Sequence, residues 1–360
     1  MRKAAIIPAI ILVIILTVLS VSVIIQQKEI RELQAENIRV STETDGPPIG
    51  AYQKLRHGHN ISILIVGDSL GTSAGAGEGH SWETRLTDWI YEKYAVRCSV
   101  KNISLGGTGS YAGYVQVMKE NGGDYDLAII CYGYNDSEES LSQYYEAIIR
   151  AVRSKYIHCN IISVLQSPER EYNAKTEVIN ELAEHYDIDM ADTIAAFNSS
   201  GYGYDELTED GVHPNDIGYS LYYETVRNII SDGVDAYRGI QGGDIDAVNE
   251  GMESFERFYY VPAEAGVRSA DGCTVEIPFS AQLTGLPGMD YERSGEGMVE
   301  VYIDDKPAWS EEMGWSDGGS VHFISPMKKE PVTVRHSIRL EFSSEDTADG
   351  FWGLIFTDVQ

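Results

Sequence analysis

At 360 residues the chain is long enough for two folded units. Its apolar fraction of 43% and charged fraction of 23% are those of a globular protein and exclude long disorder. A formal net charge of -29 excludes binding to the nucleic-acid backbone, which needs stripes of Lys and Arg.

Arg2 and Lys3 open the chain, and residues 4–25 follow as an uncharged run of mostly Ile, Val and Leu. That run predicts a membrane-spanning helix, with the basic tip held in the cytoplasm and the rest exported. A cleaved signal peptide is the competing reading; Ser20-Val21-Ser22 is a poor cleavage site and lies inside the apolar run. Residues 1–25 are thus read as cytoplasmic tip and anchor. Residues 26–59 are read as a stalk and linker, charged at first and then broken by Gly46, Pro47, Pro48 and Gly50.

From 60 to 235 the pattern predicts an α/β unit. Short apolar runs at 61–66, 98–105, 125–132 and 160–165 read as strands. Between and after them, helical patterns cover 81–94, 111–121, 140–155, 174–185 and 217–230. Such alternation implies a mostly parallel sheet with helices on both faces, a three-layer α/β/α sandwich. Residues 236–250 read as a Gly- and Asp-rich linker. Over 251–360 helical periodicity is gone, and strands at 274–279, 297–303, 320–324, 333–342 and 350–356 suggest a β-sandwich. The four cysteines show no CxxC spacing and read as small buried hydrophobes; a disulfide is permitted outside the cell but not demanded.

Four short segments carry chemistry. Gly67-Asp68-Ser69-Leu70 follows the first strand, where open α/β sheets bind their ligands, and exposes a serine there. Asp210-Gly211-Val212-His213 precedes the last helix and supplies a base with a carboxylate to orient it, which a serine nucleophile requires. Gly133-Tyr134-Asn135-Asp136 follows a strand and offers a side-chain amide to a developing oxyanion. Leu105-Gly106-Gly107-Thr108 lets a backbone N–H approach a substrate unobstructed. Each segment alone is ordinary turn chemistry.

Together, and in the order Ser, Gly, Asn, His, they resemble the SGNH (GDSL) hydrolase family over roughly residues 61–233. The resemblance implies a three-layer α/β/α fold and a serine esterase without cofactor. Ser69 matches the nucleophile, and Asp210 and His213 match the acid and base. Ser69, Gly107 and Asn135 match the oxyanion hole, with Gly106 a one-residue alternative to Gly107. The segment 67–71 also fits G-x-S-x-G, but an acid and base within one DxxH fit the α/β-hydrolase order poorly.

His57, His59 and His80 show no metal-ligand spacing, and Asp244-Ile245-Asp246 misses a calcium loop, so no metal is expected. Tyr111, Tyr134 and Tyr204, near the motif segments, are candidates to stack on a sugar or line an acyl pocket. The expected partners are an acylated glycan as ester substrate and a membrane through the N-terminal helix. Three rivals share the pattern: an O-acetyltransferase with the same triad, a lysophospholipase or thioesterase, and a non-catalytic glycan-binding surface protein.

Overall fold

The computed structural model describes residues 50–242 and 246–357. The anchor expected over 4–25 and most of the stalk lie outside them. No helix among the described residues is long and apolar enough to cross a membrane.

Both expected units are present. The first contains α1 (Ala51–Arg56), β1 (Ile61–Gly67), α2 (Trp82–Tyr94), β2 (Cys98–Asn102), α3 (Ser110–Lys119), β3 (Leu127–Cys131), α4 (Glu138–Lys155) and β4 (Asn160–Leu165). It continues through α5 (Ala174–His185), β5 (Asp189–Asp192), α6 (Thr193–Ser199), α7 (Tyr204–Leu207) and α8 (Asp216–Asp235). All strand pairs are parallel, in the order β2-β1-β3-β4-β5.

Period-2 alternation splits β1 between two cores. Leu64 and Val66 face the layer of α3, α4 and α5, while Ile63 and Ile65 face α1, α2 and α8. All four are fully buried, which explains why the strand reads as one apolar run. In this order β1 lies between β2 and β3, so chain connections leave it in opposite directions. The crevice at such a switch point opens at the carboxyl ends of β1 and β3. Gly67 and Cys131 are register partners there, so the segments bearing Ser69 and Asn135 start side by side.

Residues 50–59 correct the stalk reading. Gly50 is the first described residue, and α1 buries Ala51, Tyr52 and Leu55 completely or nearly so. The Tyr52 hydroxyl donates to Asp189 Oδ2 at 2.6 Å, and Asn160 Oδ1 accepts from the Ala51 N–H at 2.9 Å. A six-residue helix after a Gly/Pro stretch is too short to show periodicity, so composition hid it.

The stretch read as a linker is also fixed to the α/β unit. Arg238 pairs with Asp189. Glu146 on α4, fully buried, accepts the backbone N–H groups of Val248 and Asn249 at 2.6 and 2.8 Å.

The second unit is all-β apart from short helical turns. β6 (Phe258–Pro262), β7 (Val267–Arg268), β8 (Thr274–Pro278), β9 (Leu283–Gly295), β10 (Met298–Ile303) and β11 (Lys306–Glu312) come first. β12 (Trp315–Pro326), β13 (Val332–Val334), β14 (Ser337–Phe342), helix α9 (Glu345–Asp349) and β15 (Phe351–Thr357) complete it. Two antiparallel sheets form, β11-β10-β14-β8-β7 and β12-β9-β15-β6, with β13 beside β9. Their facing residues, among them Val299, Leu340, Met289 and Phe356, make a separate core.

The β unit is docked on α3. Ile324 and Ile355 join the α/β core beside Tyr111 and Tyr114, and the Tyr114 hydroxyl donates to the Phe255 carbonyl at 2.8 Å. The buried Asp290 of β9 accepts from Lys119 of α3 at 2.5 Å, His322 of β12 at 2.5 Å and Tyr260 of β6 at 2.9 Å. Burial pushes the Asp290 carboxyl up, but the bonds from His322 and Lys119 outweigh it and hold the group below the usual carboxylate range. All four cysteines are free.

Candidate active site

Asp210 begins a turn that its own side chain closes. Its Oδ1 accepts the backbone N–H of Val212 at 2.9 Å and of His213 at 2.8 Å, with Gly211 at φ +84° between them. Only glycine adopts that φ cheaply. The turn is fixed from below by Glu209 N–H to the His213 carbonyl at 2.8 Å and Asn215 N–H to the Leu207 carbonyl at 2.9 Å. Asn215 then caps α8 through the Ile217 and Gly218 N–H groups.

With Oδ1 engaged by backbone, Asp210 Oδ2 is left for the ring. It lies 2.7 Å from His213 Nδ1, and His213 Nε2 lies 2.9 Å from Ser69 Oγ. The backbone and ring N–H groups of His213 hold the Asp210 carboxyl down at about 2, so it is ionised at any working pH. An ionised Asp210 accepts from Nδ1, which leaves the Nε2 lone pair facing the serine hydroxyl. The arrangement can therefore take a proton from Ser69.

The other expected residues converge on the same point. A side chain on Gly106 would meet the Ser69 Cβ at 3.7 Å, so the Gly106-Gly107 turn runs beside the serine. Gly107 itself has φ +74°, which explains why glycine stands there. Asn135 Nδ2 donates to Asp68 Oδ2 at 3.3 Å and to the Thr108 carbonyl, next to Gly107, at 3.2 Å.

Of the three tyrosines, Tyr134 and Tyr204 are half-buried beside the motif loops. Arg170 lies 4.1 Å over the Tyr204 ring and donates to the Gly211 carbonyl at 3.4 Å, bracing the turn. Tyr111 is 5% exposed, packed against Tyr144 and under the β unit, and so offers little surface to a substrate.

Two groups escaped the sequence reading. Asp68 and Gln166 are both buried and bonded to each other beneath the serine. Burial pushes the Asp68 carboxyl up to about 7, against the opposing pull of its bonds from Gln166 and Leu70. On the far side, the β unit reaches the site: a side chain on Gly107 would lie 3.9 Å from the Phe323 ring. Arg293 covers that ring at 4.3 Å, and Trp315 packs against it at 5.8 Å between centroids. Among the described residues no group of three or more His, Cys, Asp or Glu side chains could hold a metal ion.

Serine, histidine and aspartate thus lie in one hydrogen-bonded chain at the switch point of a parallel sheet, an arrangement suited to a serine nucleophile. Residues 65–221 match the GDSL-like Lipase/Acylhydrolase family, and the match supports a serine esterase or acylhydrolase. No curated protein matches the chain. Among solved structures, a two-domain esterase active on acetylated mannans, co-crystallised with mannopentaose, is similar with a TM-score of 0.68. At 14% identity that likeness covers 84% of this chain and 92% of the esterase. A second structure of a two-domain esterase active on acetylated mannans gives a TM-score of 0.66 at 15% identity, covering 83% of this chain and 91% of the other. At these identities the likeness carries the fold, including the attached β domain.

Proposed function

We propose that the protein hydrolyses acetyl or other short acyl esters on a glycan, using Ser69, His213 and Asp210 as its triad. The observation that carries this reading is the unbroken bond chain from Asp210 through His213 to Ser69. Ser69 Oγ attacks the ester carbonyl while His213 Nε2 takes its proton. Asp210 orients the ring and stabilises the imidazolium. The oxyanion is met by the N–H groups of Ser69 and Gly107 and by the Asn135 amide. Collapse of the tetrahedral adduct expels the sugar alcohol, which receives the proton from His213. Water, activated by the same imidazole, then cleaves the acyl-enzyme and releases the carboxylic acid.

Two observations support a glycan as the alcohol side. The fold, with its β domain, is that of an esterase active on acetylated mannans. Phe323, Trp315 and Arg293 also bring apolar ring faces and a cation beside the Gly107 loop, a combination suited to sugar C–H faces and hydroxyls. Phe323→Ala is therefore expected to lower kcat/KM on an acetylated oligosaccharide roughly tenfold, the equivalent of about 1.4 kcal/mol of lost contact. On p-nitrophenyl acetate the loss should be far smaller. Equal losses on both would remove the sugar-binding role, and failure to release acetate from any acetylated glycan would defeat the substrate assignment.

The catalytic unit is proposed to work outside the cytoplasm, held by residues 4–25. The support is the basic tip before an uncharged run. Protease added to intact cells should remove the folded domains and leave a short membrane stub; full protection refutes this topology.

A further inference from the structure

Asp68 stands one residue before the serine, yet its side chain points into the protein and is 1% exposed. Three donors converge on its carboxylate. Oδ1 accepts the Leu70 N–H at 2.9 Å and the Gln166 Nε2 amide at 2.9 Å, while Oδ2 accepts from Asn135 Nδ2 at 3.3 Å. Gln166, 2% exposed just beyond β4, uses both ends of its own amide. Besides Asp68, its Nε2 donates to the Cys131 carbonyl at the end of β3 at 3.0 Å. Its Oε1 accepts the Tyr134 N–H at 2.7 Å. The loop bearing Ser69, the loop bearing Asn135 and the end of β4 are thereby tied at one buried point.

We propose that Gln166 and Asp68 are positioning residues for the oxyanion hole, which hold the nitrogen end of the Asn135 amide, and not its oxygen, beside the Gly107 loop. This rests on the reading of Asn135 as an oxyanion donor. An asparagine amide can flip by half a turn, and only its surroundings choose the orientation. Here the surroundings are two acceptors, the Asp68 carboxylate and the Thr108 carbonyl, so an oxygen in that position would meet two lone pairs. Gln166 fixes Asp68 from one side and the backbone of Tyr134 from the other, which sets both the partner and the chain position of Asn135.

The arrangement also lets the amide act. Both of its bonds are near the long end of the hydrogen-bond range. When charge develops on the substrate oxygen, an anion competes well against the neutral Thr108 carbonyl for one amide hydrogen. Above about pH 7, where the Asp68 carboxyl is ionised, the other hydrogen keeps its charged acceptor there, so the amide need not reorganise. Asp68→Asn would set an amide nitrogen or a weaker neutral oxygen against Asn135 and remove this choice.

The test is a set of mutant cycles on p-nitrophenyl acetate with Asn135→Ala as reference. That variant alone should lose about 10²–10³ in kcat, the usual cost of one oxyanion donor. Gln166→Met removes the ties at similar volume, and Asp68→Asn removes the charge. Each is expected to lower kcat roughly 10- to 100-fold with KM changed by no more than about twofold. Combined with Asn135→Ala, either should add no more than about a further threefold loss, because the group they orient is already gone. Multiplicative losses in the double mutants, or wild-type kcat in folded Gln166→Met and Asp68→Asn, overturn the positioning role. Failure of both variants to fold, read from thermal melts, also counts against it, since the network would then be a fold element. If Asn135→Ala itself keeps wild-type kcat, the oxyanion assignment fails first and independently.

Discussion

Ser69→Ala and His213→Ala are each expected to lower kcat on p-nitrophenyl acetate by about 10⁴–10⁶, and the double mutant to be scarcely worse than either. The reason is geometric. The Nε2 end of the imidazole is bonded to the serine hydroxyl at 2.9 Å, and a serine without that base is a poor nucleophile at neutral pH. Removing either partner abolishes the same step, so the second removal has nothing left to destroy. Residual activity would come from the oxyanion donors and substrate binding acting on water. A fluorophosphonate probe supplies an independent readout, because it should label wild-type Ser69 and leave Ser69→Ala unlabelled. Losses that multiply in the double mutant would mean that the two groups act in separate steps. A folded Ser69→Ala protein with wild-type rates would remove the covalent mechanism altogether.

What was legible in the sequence, and what was not, follows the range of the interactions. The DxxH turn could be read because its geometry is local. Asp210 closes it with its own Oδ1, Gly211 permits it, and His213 falls where Oδ2 can reach. Ser69 and Asn135 could be placed at strand ends because β1 and β3 are buried on both faces and read as uninterrupted apolar runs. Gln166 could not be found that way. It lies 98 residues from Asp68, and only the order β1-β3-β4 brings the two together. The long central strand β9 was missed for a related reason. Gly285, Pro287 and Gly288 look like turn residues, yet all three lie within paired strand. At Gly288 a side chain would collide with the Tyr111 hydroxyl of α3, so glycine marks a docking point there and not a turn. The same docking buries Tyr111 and carries Phe323 to the Gly107 loop. Neither consequence is visible in composition or periodicity, because both depend on two units packing together.

Asp210→Asn should lower kcat roughly 10³-fold with little change in KM, somewhat less than the ~10⁴ seen when the acid of a buried triad is replaced in this way. Two changes act together. The introduced amide can keep its oxygen on the Val212 and His213 N–H groups, so the turn should survive. Its NH₂ group would then face His213 Nδ1, which favours the tautomer carrying the proton on Nε2. That tautomer presents a hydrogen to Ser69 where a lone pair is needed. The charge that stabilises the imidazolium is lost as well. The expected loss is tempered because the Asp210 side chain is 56% exposed, so water can replace part of what the carboxylate does for Nδ1. The pH dependence has a definite sign. With the carboxyl of Asp210 held down at about 2 in the folded protein, its favourable pairing with His213 is complete above the usual carboxylate range and is lost only as pH falls through about 2. Loss of activity between pH 5 and 7 in the wild type therefore cannot come from Asp210, and the variant should be impaired across the whole range, with its thermal stability near neutral pH lowered modestly because the pairing present there is lost at an exposed side chain. Steady-state kinetics from pH 5 to 9 on both proteins, with a melting curve for each, decide the point. An Asp210→Asn enzyme within about threefold of wild type would mean that the backbone alone orients His213 and that Ser69 and His213 work as a dyad.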